Sequence, residues 1–164
     1  MKSNLSDEKD LARARLKELV KKFKQNESDY LKKGYNETQV RTDFITPLLE
    51  IFGWDVHNKE GVAQHLREVI EESTINVDDE KFSKKPDYEI RAAKQRKLFI
   101  EAKKPSVNLE ISKESAFQAR RYGFSGSLPI VILTNFYHIA IYECQFKPSL
   151  EDHPHVARLL IVKY

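Results

Sequence analysis

Two carboxylates and one amine stand out near the middle of the chain, because their spacing allows them to meet on a β-hairpin. Asp87 follows Pro86 at the start of one strand-like stretch, and the run 101–103 (Glu-Ala-Lys) ends the next. In an antiparallel pair, a residue near the start of one strand lies opposite a residue near the end of its partner. Glu101 and Lys103 are two residues apart and therefore share one face of a strand. The spacing predicts that two acids and an amine emerge together at one end of this hairpin.

This grouping suits a hard divalent cation and the hydrolysis of a phosphodiester. Mg²⁺ prefers carboxylate and carbonyl oxygens and keeps several waters. Held by Asp87, Glu101 and the carbonyl of Ala102, it could polarise the phosphodiester and lower the pKa of a bound water. Lys103 could orient or deprotonate that water and offset charge on phosphorus. The spacing leaves open an alternative, a surface salt bridge between Glu101 and a neighbouring lysine.

Charge is unevenly distributed along the chain, although the net charge is only +3. Residues 81–104 contain nine basic residues and three acids, whereas residues 68–80 contain six acids and no base. Such a layout is typical of a patch that faces a polyanion beside a neutral or acidic surface. A solvated hairpin rich in lysine explains the same composition equally well, so charge alone does not decide between the two.

Helical periodicity dominates the start of the chain. Apolar residues recur on one side of residues 5–33, which predicts a helix that begins with Ser6 as its cap and ends at Gly34. The opposite side is rich in lysine and arginine. We interpret it as a solvated face, with contact to phosphates as the alternative.

A second helix is predicted over residues 36–52. Asn36 and Gln39 have the spacing of a capping box, and apolar residues recur at helical intervals behind them. Pro47 lies inside this segment and predicts a kink or a break into two pieces, because proline has no N–H to donate. Gly53 is expected to end the element.

The second half of the chain alternates short apolar runs with one helical segment. Strands are predicted at residues 88–91, 98–102, 129–134, 138–144 and 158–162, with a helix at 112–124. Residues 92–97 join the first two strands, and residues 62–80 are ambiguous, with their acids indicating a loop after a short strand or helix. Four residues of the helix are expected to face the sheet: Ala116, Phe117, Ala119 and Arg120. This order predicts one sheet flanked by helices, in the α/β or α+β class.

Three further residues add to the candidate site, each with a structural alternative. Glu37 stands in the first turn of the second helix, where a carboxylate also suits the helix dipole. Gln118 and Tyr122 are four residues apart and project from one helix face, as an ordinary surface pair would. Arg120 and Arg121 beside them could contact phosphates or be solvated charges.

Other chemistry is disfavoured. The single cysteine, Cys144, cannot form an internal disulfide framework or a multi-thiolate zinc site, and its apolar neighbours predict a buried thiol. His153 and His155 flank Pro154 in a polar stretch that favours a loop over a metal site. The start of the chain lacks the apolar core of a signal peptide, and the apolar runs are too short to span a bilayer. A cytoplasmic location and no membrane partner are expected.

The chain resembles the PD-(D/E)xK nuclease superfamily in four elements: Glu37, Pro86-Asp87, Glu101-Ala102-Lys103 and Gln118-x-x-x-Tyr122. The Gln-x-x-x-Tyr element is similar to that of its RecB-like branch. Residues 36–54 resemble the opening helix of type I motor subunits and of fused type IIG or single-chain type I restriction enzymes. The strand pair within residues 133–142 is similar to theirs, so the resemblance covers most of the chain.

The resemblance implies a restriction-endonuclease-like fold, with a central mixed β-sheet and flanking helices. It implies that Asp87 and Glu101 are metal ligands and that Lys103 is a catalytic base or an electrostatic helper. Glu37 would be an additional contact to the metal or its water. Gln118 and Tyr122 would position DNA or active-site waters. The ion would be Mg²⁺, for which Mn²⁺ is expected to substitute.

The leading hypothesis is therefore an endonuclease that hydrolyses double-stranded DNA within a restriction-modification system. Residues 1–164 are expected to form a single nuclease domain with a helical N-terminal extension at 1–35. This domain is expected to be the N-terminal part of a larger enzyme whose methyltransferase, translocase or specificity modules are its partners. Two alternatives remain: a non-catalytic nucleic-acid-binding module, and a nuclease of the same fold that acts on RNA or on repair intermediates.

Overall fold

A six-stranded β-sheet lies at the centre of the computed structural model, which describes residues 3–73 and 85–163. The strands are β1 (Val69–Glu71), β2 (Tyr88–Ala92), β3 (Gln95–Ala102), β4 (Ile130–Thr134), β5 (His138–Glu143) and β6 (Arg158–Lys163). They lie in the sheet in the order in which they occur in the chain. β3 and β4 are parallel and the other neighbours are antiparallel.

The helices cover both faces of this sheet. They are α1 (Ser3–Gln25), α2 (Glu27–Tyr30), α3 (Glu37–Val40), α4 (Thr46–Ile51) and α5 (Lys113–Ser125), with a π-helical turn at Arg41–Ile45 and a 3₁₀ turn at Gln64–Leu66. The parallel pair β3–β4 requires a crossover connection, and α5 supplies it. A mixed sheet between helices confirms the predicted α/β class and is consistent with a restriction-endonuclease-like fold.

Two hydrophobic cores lie on opposite faces of the sheet, because successive side chains of a strand point to opposite sides. Ile100 and Ala102 of β3 join the core formed with α1, α4 and the π-helical turn. Phe99, the residue before Ile100, points to the opposite face and joins the core formed with α5, β4 and β5. Leu19 and Phe23 of α1 are buried in the first core, so the helix is packed onto the domain.

The prediction of one continuous helix over residues 5–33 was wrong. α1 ends at Gln25, because Asn26 leaves the helical region with φ −126° and ψ 23°, and the short α2 follows. Ser6 lies inside α1, three residues after its first residue, and Gly34 lies beyond the end of α2. Asparagine often interrupts a helix, because its side chain competes for backbone hydrogen bonds.

The predicted capping box and the predicted break in the second helix were both confirmed. The Asn36 side chain accepts from the Gln39 N–H, and the Gln39 side chain accepts from the Asn36 N–H, each at 2.9 Å. The segment is divided into α3, the π-helical turn and α4, with Pro47 in the first turn of α4. Gly53 follows α4 with φ +90°, a conformation that glycine adopts without strain.

The hairpin between β2 and β3 is tighter than predicted. Residues 92–97 were expected to form the connection, but only Ala93 and Lys94 lie between the two strands, with φ of 50° and 65°. Two consecutive left-handed residues are typical of a two-residue type I′ turn, which matches the twist of a hairpin. The ambiguous segment 62–80 contains the 3₁₀ turn and β1, and its residues 74–80 lie outside the described residues.

The crossover helix α5 begins where predicted, and Ser112 caps it by accepting from the Ser115 N–H. Three of the four residues expected to face the sheet are buried: Ala116, Ala119 and Arg120. Phe117, the fourth, is half-buried, and the Arg121 guanidinium lies 5.8 Å from its ring centroid.

Gly123 permits the close approach of α5 to the sheet. A Cβ at this position would collide with the side chain of Cys144, whose own Cβ would lie only 2.9 Å away. We expect Gly123→Ala to lower the free energy of unfolding by about 1–3 kcal/mol, the usual effect of overpacking a core. Chemical denaturation measures this change.

Gly34→Ala is the matched control, because a Cβ at Gly34 would meet no atom within 4 Å. Its free energy of unfolding should change by less than about 1 kcal/mol. Equal stability of Gly123→Ala and wild type would contradict the close packing described.

Candidate active site

The end of the β2–β3 hairpin holds Asp87 next to Glu101. Tyr88 pairs with Ile100 in the antiparallel ladder. Asp87, which precedes Tyr88, therefore lies beside Glu101, which follows Ile100. The Asp87 carboxylate accepts the Ala102 backbone N–H at 2.7 Å through Oδ2 and the Arg41 guanidinium at 3.0 Å through Oδ1. Both oxygens are therefore fixed, one by the sheet and one by the helical layer.

Glu101 is the most deeply buried carboxylate of this group, with its side chain 4% exposed. Its Oε1 accepts from the Lys103 ammonium at 2.6 Å, whereas Oε2 is buried with no hydrogen-bond partner within the described part of the chain. Burial raises the pKa of Glu101 to about 7, although the positive charge of Lys103 opposes the shift. An unpartnered buried oxygen is costly and is usually explained by a missing ligand or a catalytic role.

Lys103 lies between Glu101 and Glu37. The Nζ–Oε1 distance to Glu37 is 3.8 Å, and the Glu37 side chain is 48% exposed. Burial works to lower the pKa of Lys103, but the surrounding carboxylates of Glu101, Glu37 and Asp87 outweigh it, and the net pKa is raised. The amine is thus a charged group surrounded by acids from two layers of the fold.

Asp87 also shows the effect of burial, which raises its pKa, while the Ala102 N–H and Arg41 act in the opposite direction. Three carboxylates near one another repel, and such clusters are stable only when cations or donors compensate their charge. Arg41 and Lys103 supply two positive charges here.

Gln118 and Tyr122 lie next to each other on α5. The Gln118 amide donates to the Tyr122 hydroxyl at 3.0 Å. Tyr122 is buried, which raises its pKa, and the charges of Glu101, Lys103 and Asp87 also act on it. The hydroxyl therefore lies within electrostatic reach of the hairpin end, on the sheet face that α5 covers.

Arg41 is the site residue that the sequence reasoning missed as a contact of Asp87. It lies four residues after Glu37, so both side chains project from the same side of the helix. Glu37 reaches Lys103, and Arg41 reaches Asp87. An acid and a base four residues apart on one helix face could have indicated these contacts from the sequence. The acid pairs with the hairpin lysine, and the base pairs with the hairpin aspartate.

The predicted basic patch is smaller than its composition indicated. Arg91 and Arg96 are both paired with the fully buried Glu89, and Lys103 is paired with Glu101. Lys85, Lys94 and Lys97 are exposed, whereas Lys81 and Lys84 lie outside the described residues. The charge available to a polyanion is therefore carried by fewer side chains than the nine that were counted.

The hairpin end offers carboxylate oxygens to a metal ion but does not form a complete set of three protein ligands among the described residues. Across residues 3–73 and 85–163, no group of three His, Cys, Asp or Glu side chains is arranged to hold an ion. The donor set of Asp87 and Glu101 fits a hard cation, because both are oxygen ligands and Glu101 Oε2 is buried without a partner.

Other sequence features have structural roles. His153 and His155 lie in a loop with ring centroids 4.1 Å apart, and the neighbouring Asp152 is taken by Arg120 at 2.7 Å. Cys144 is buried as predicted, and burial raises the pKa of its thiol to about 12. Within the residues described, no helix combines the length and apolar character needed to cross a bilayer.

Comparison with known proteins relates the chain to a restriction enzyme. It is 45% identical over 129 residues to the Type II restriction enzyme and methyltransferase RM.Eco57I of Escherichia coli. The similar region covers 79% of this chain and 13% of that enzyme, so the chain spans a small part of the length of the curated relative it matches. No family model matches the chain, and no solved structure matches it.

The capping box at Asn36 fixes the start of the helix that carries Glu37 and Arg41. We expect Asn36→Ala to lower the free energy of unfolding by about 1 kcal/mol, because a backbone N–H of the first turn loses its acceptor. Chemical denaturation provides the measurement. Asn26→Ala is the matched control, since Asn26 precedes α2 but makes no side-chain capping bond. Equal losses in the two variants would show that the cap contributes nothing specific.

Proposed function

We propose that the chain is a metal-dependent endonuclease domain of a restriction-modification system and that it hydrolyses DNA phosphodiester bonds. The observation that carries the proposal is the convergence of Asp87, Glu101 and Lys103 at one hairpin end, with one oxygen of Glu101 left unpartnered. The 45% identity to part of a restriction enzyme and methyltransferase supports the same assignment.

Asp87, Glu101 and the main chain of Ala102 would hold Mg²⁺, or Mn²⁺ in its place, and Glu37 would be an additional contact. Once bound, such an ion supplies Lewis-acid polarisation of a phosphoryl oxygen and a water of lowered pKa. The protein prepares this site by fixing Asp87 through two donors and by keeping Glu101 away from bulk solvent.

Lys103 would act on the attacking water or on the charge that develops at phosphorus. Its Nζ lies 2.6 Å from Glu101 and 3.8 Å from Glu37, so the amine is held at the centre of the group. An ammonium placed in advance stabilises negative charge in the transition state without reorganisation. Removal of a proton from water, as a general base, would be its alternative role, but it would require the ammonium to lose its proton first, which the raised pKa of Lys103 opposes.

Gln118 and Tyr122 would position the DNA or the waters. Because the Tyr122 oxygen accepts from Gln118, its own O–H can donate to a phosphate oxygen or a water. The burial of Tyr122 keeps the ring in place, so the direction of that donor is set by packing on the sheet.

Double-stranded DNA would be the substrate, and methyltransferase, translocase or specificity modules would be the partners. The relative is by name both a restriction enzyme and a methyltransferase, and the chain spans 13% of it. Selection of a DNA sequence is accordingly assigned to regions other than this domain.

A non-catalytic binding module is the second candidate. The observation that favours it is the ion pair between Lys103 and Oε1 of Glu101, which a purely structural salt bridge would also show. Metal binding separates the two candidates, because a binding module has no need of a cation at Asp87.

Nicking of supercoiled plasmid tests the nuclease assignment. We expect cleavage that requires Mg²⁺ or Mn²⁺ and that falls at least about 100-fold in Lys103→Ala, because the charge at the reacting phosphate is lost. Lys59→Ala is the matched control, since Lys59 is an exposed lysine outside the hairpin that pairs with Glu50 at 2.7 Å. Cleavage at the wild-type rate in Lys103→Ala would contradict the assignment of Lys103 to a nuclease active site.

Calorimetry tests the proposed metal ligands without relying on activity. Wild type should bind Mn²⁺ at one site, and Asp87→Ala should abolish the binding, because a metal site depends on each of its few ligands. Binding that survives in Asp87→Ala would remove this residue from the site. If wild type binds no divalent ion at all, the binding-module candidate is favoured.

A further inference from the structure

Arg41 is a cation of the site whose role the proposed nuclease chemistry does not explain. It lies at the start of the π-helical turn, with its side chain 14% exposed. Its guanidinium stacks 5.1 Å from the ring centroid of Tyr88, the residue next to Asp87. This packing fixes the plane of the guanidinium, and a fixed plane directs its N–H donors.

The two arms of the guanidinium contact different strands. Nη1 donates to Asp87 at 3.0 Å and also lies 3.4 Å from Glu72, whereas Nη2 donates to Glu71 at the end of β1 at 3.1 Å. Glu71 and Glu72 are 40% and 61% exposed, so those two pairs are screened by solvent. The Asp87 side chain is only 17% exposed, which makes its contact the strongest of the three.

The contact with Asp87 completes a two-point hold on one carboxylate. Oδ2 accepts the Ala102 N–H at 2.7 Å, and Oδ1 accepts from Arg41. With the Ala102 bond alone, rotation about the last side-chain torsion would remain possible, because that torsion is broad. With both bonds, one plane of the carboxylate is selected, and each oxygen keeps a free lone pair for a further ligand.

We propose that Arg41 is a positioning residue that orients the Asp87 carboxylate for the reaction. The inference rests on the proposed function for the meaning of that orientation. Arg41 contacts Asp87 and would act on the reaction through that carboxylate. The Glu71 arm anchors the guanidinium, and the Asp87 arm does the orienting.

The Ala102 amide reports this orientation directly. Its proton donates to Asp87 Oδ2, so its NMR chemical shift and its exchange rate depend on how the carboxylate is held. The measurement needs neither metal nor DNA. Asp87→Ala supplies the reference spectrum in which the bond is absent.

Arg41→Met is the principal variant, because it keeps a long apolar stem over Tyr88 but removes every donor. We expect the Ala102 amide shift to move toward that of Asp87→Ala and its hydrogen exchange to speed up. In plasmid cleavage, kcat should fall about 10- to 100-fold with little change in KM, the usual effect of losing a residue that orients a ligand. Arg41→Lys, with one donor group instead of a fork, should fall between Arg41→Met and wild type in both readouts.

Glu71→Gln separates positioning from tethering. It weakens the anchor of Arg41 on β1 but leaves the Asp87 contact, so both readouts should stay close to wild type. If Glu71→Gln reproduces the losses of Arg41→Met, Arg41 is a tether between strand and helix, and the proposal is overturned.

An unchanged Ala102 amide and unchanged kcat in Arg41→Met would also overturn the proposal. Should Arg41→Met fail to fold, Arg41→Lys decides, since identity with wild type in both readouts contradicts the need for the fork. If wild type does not cleave DNA, the proposed nuclease function fails instead. The amide measurement then still shows whether Arg41 holds Asp87.

Discussion

The compensation of buried negative charge at the end of the β2–β3 hairpin is the constraint on which the site depends. Asp87 and Glu101 are brought together by strand pairing and are removed from solvent by packing. Both conditions oppose ionisation, and the raised pKa of each acid reflects them. Arg41 and Lys103 offset part of that cost, and a single oxygen of Glu101 remains uncompensated. A hydrogen-bond donor or a cation at this oxygen would reduce the remaining cost of burying Glu101.

The alternation of side chains along β3 explains how one strand serves both core and site. Ile100 and Ala102 point into the core beneath the N-terminal helices, and Phe99 points toward α5. Glu101 follows the same alternation as Phe99 and therefore faces the side that carries Tyr122. At the same time the main chain of Ala102 donates to Asp87. A slip of one residue in the register of β3 would move its core side chains to the face of Glu101 and turn Glu101 into the core. Hydrophobic packing of β3 therefore also fixes the position of Glu101.

Much of this arrangement could be predicted from the sequence because it is local. The hairpin partners Asp87 and Glu101 are close in the chain, and strand pairing is enough to join them. The contact of Arg41 with Asp87 spans 46 positions and depends on how a helix is rotated, which periodicity does not specify. The turn at residues 93–94 lacks the glycine or asparagine that usually marks such a turn, so its position was not predicted. The break between α1 and α2 at Asn26 was missed because no proline lies there. The catalytic roles stay predictions, since geometry alone does not test them.

The order of strands in the sheet has a consequence for how the domain forms. Because the six strands lie side by side in chain order, most pairings link near neighbours, and such topologies have short loops to close. The contacts of α3 and the π-helical turn with the hairpin are different, since they join segments 46 to 66 residues apart. Loop closure makes such contacts slow to form. Folding kinetics should therefore separate early hairpin assembly from later docking of the N-terminal layer, and the polar centre would be completed only in that last step.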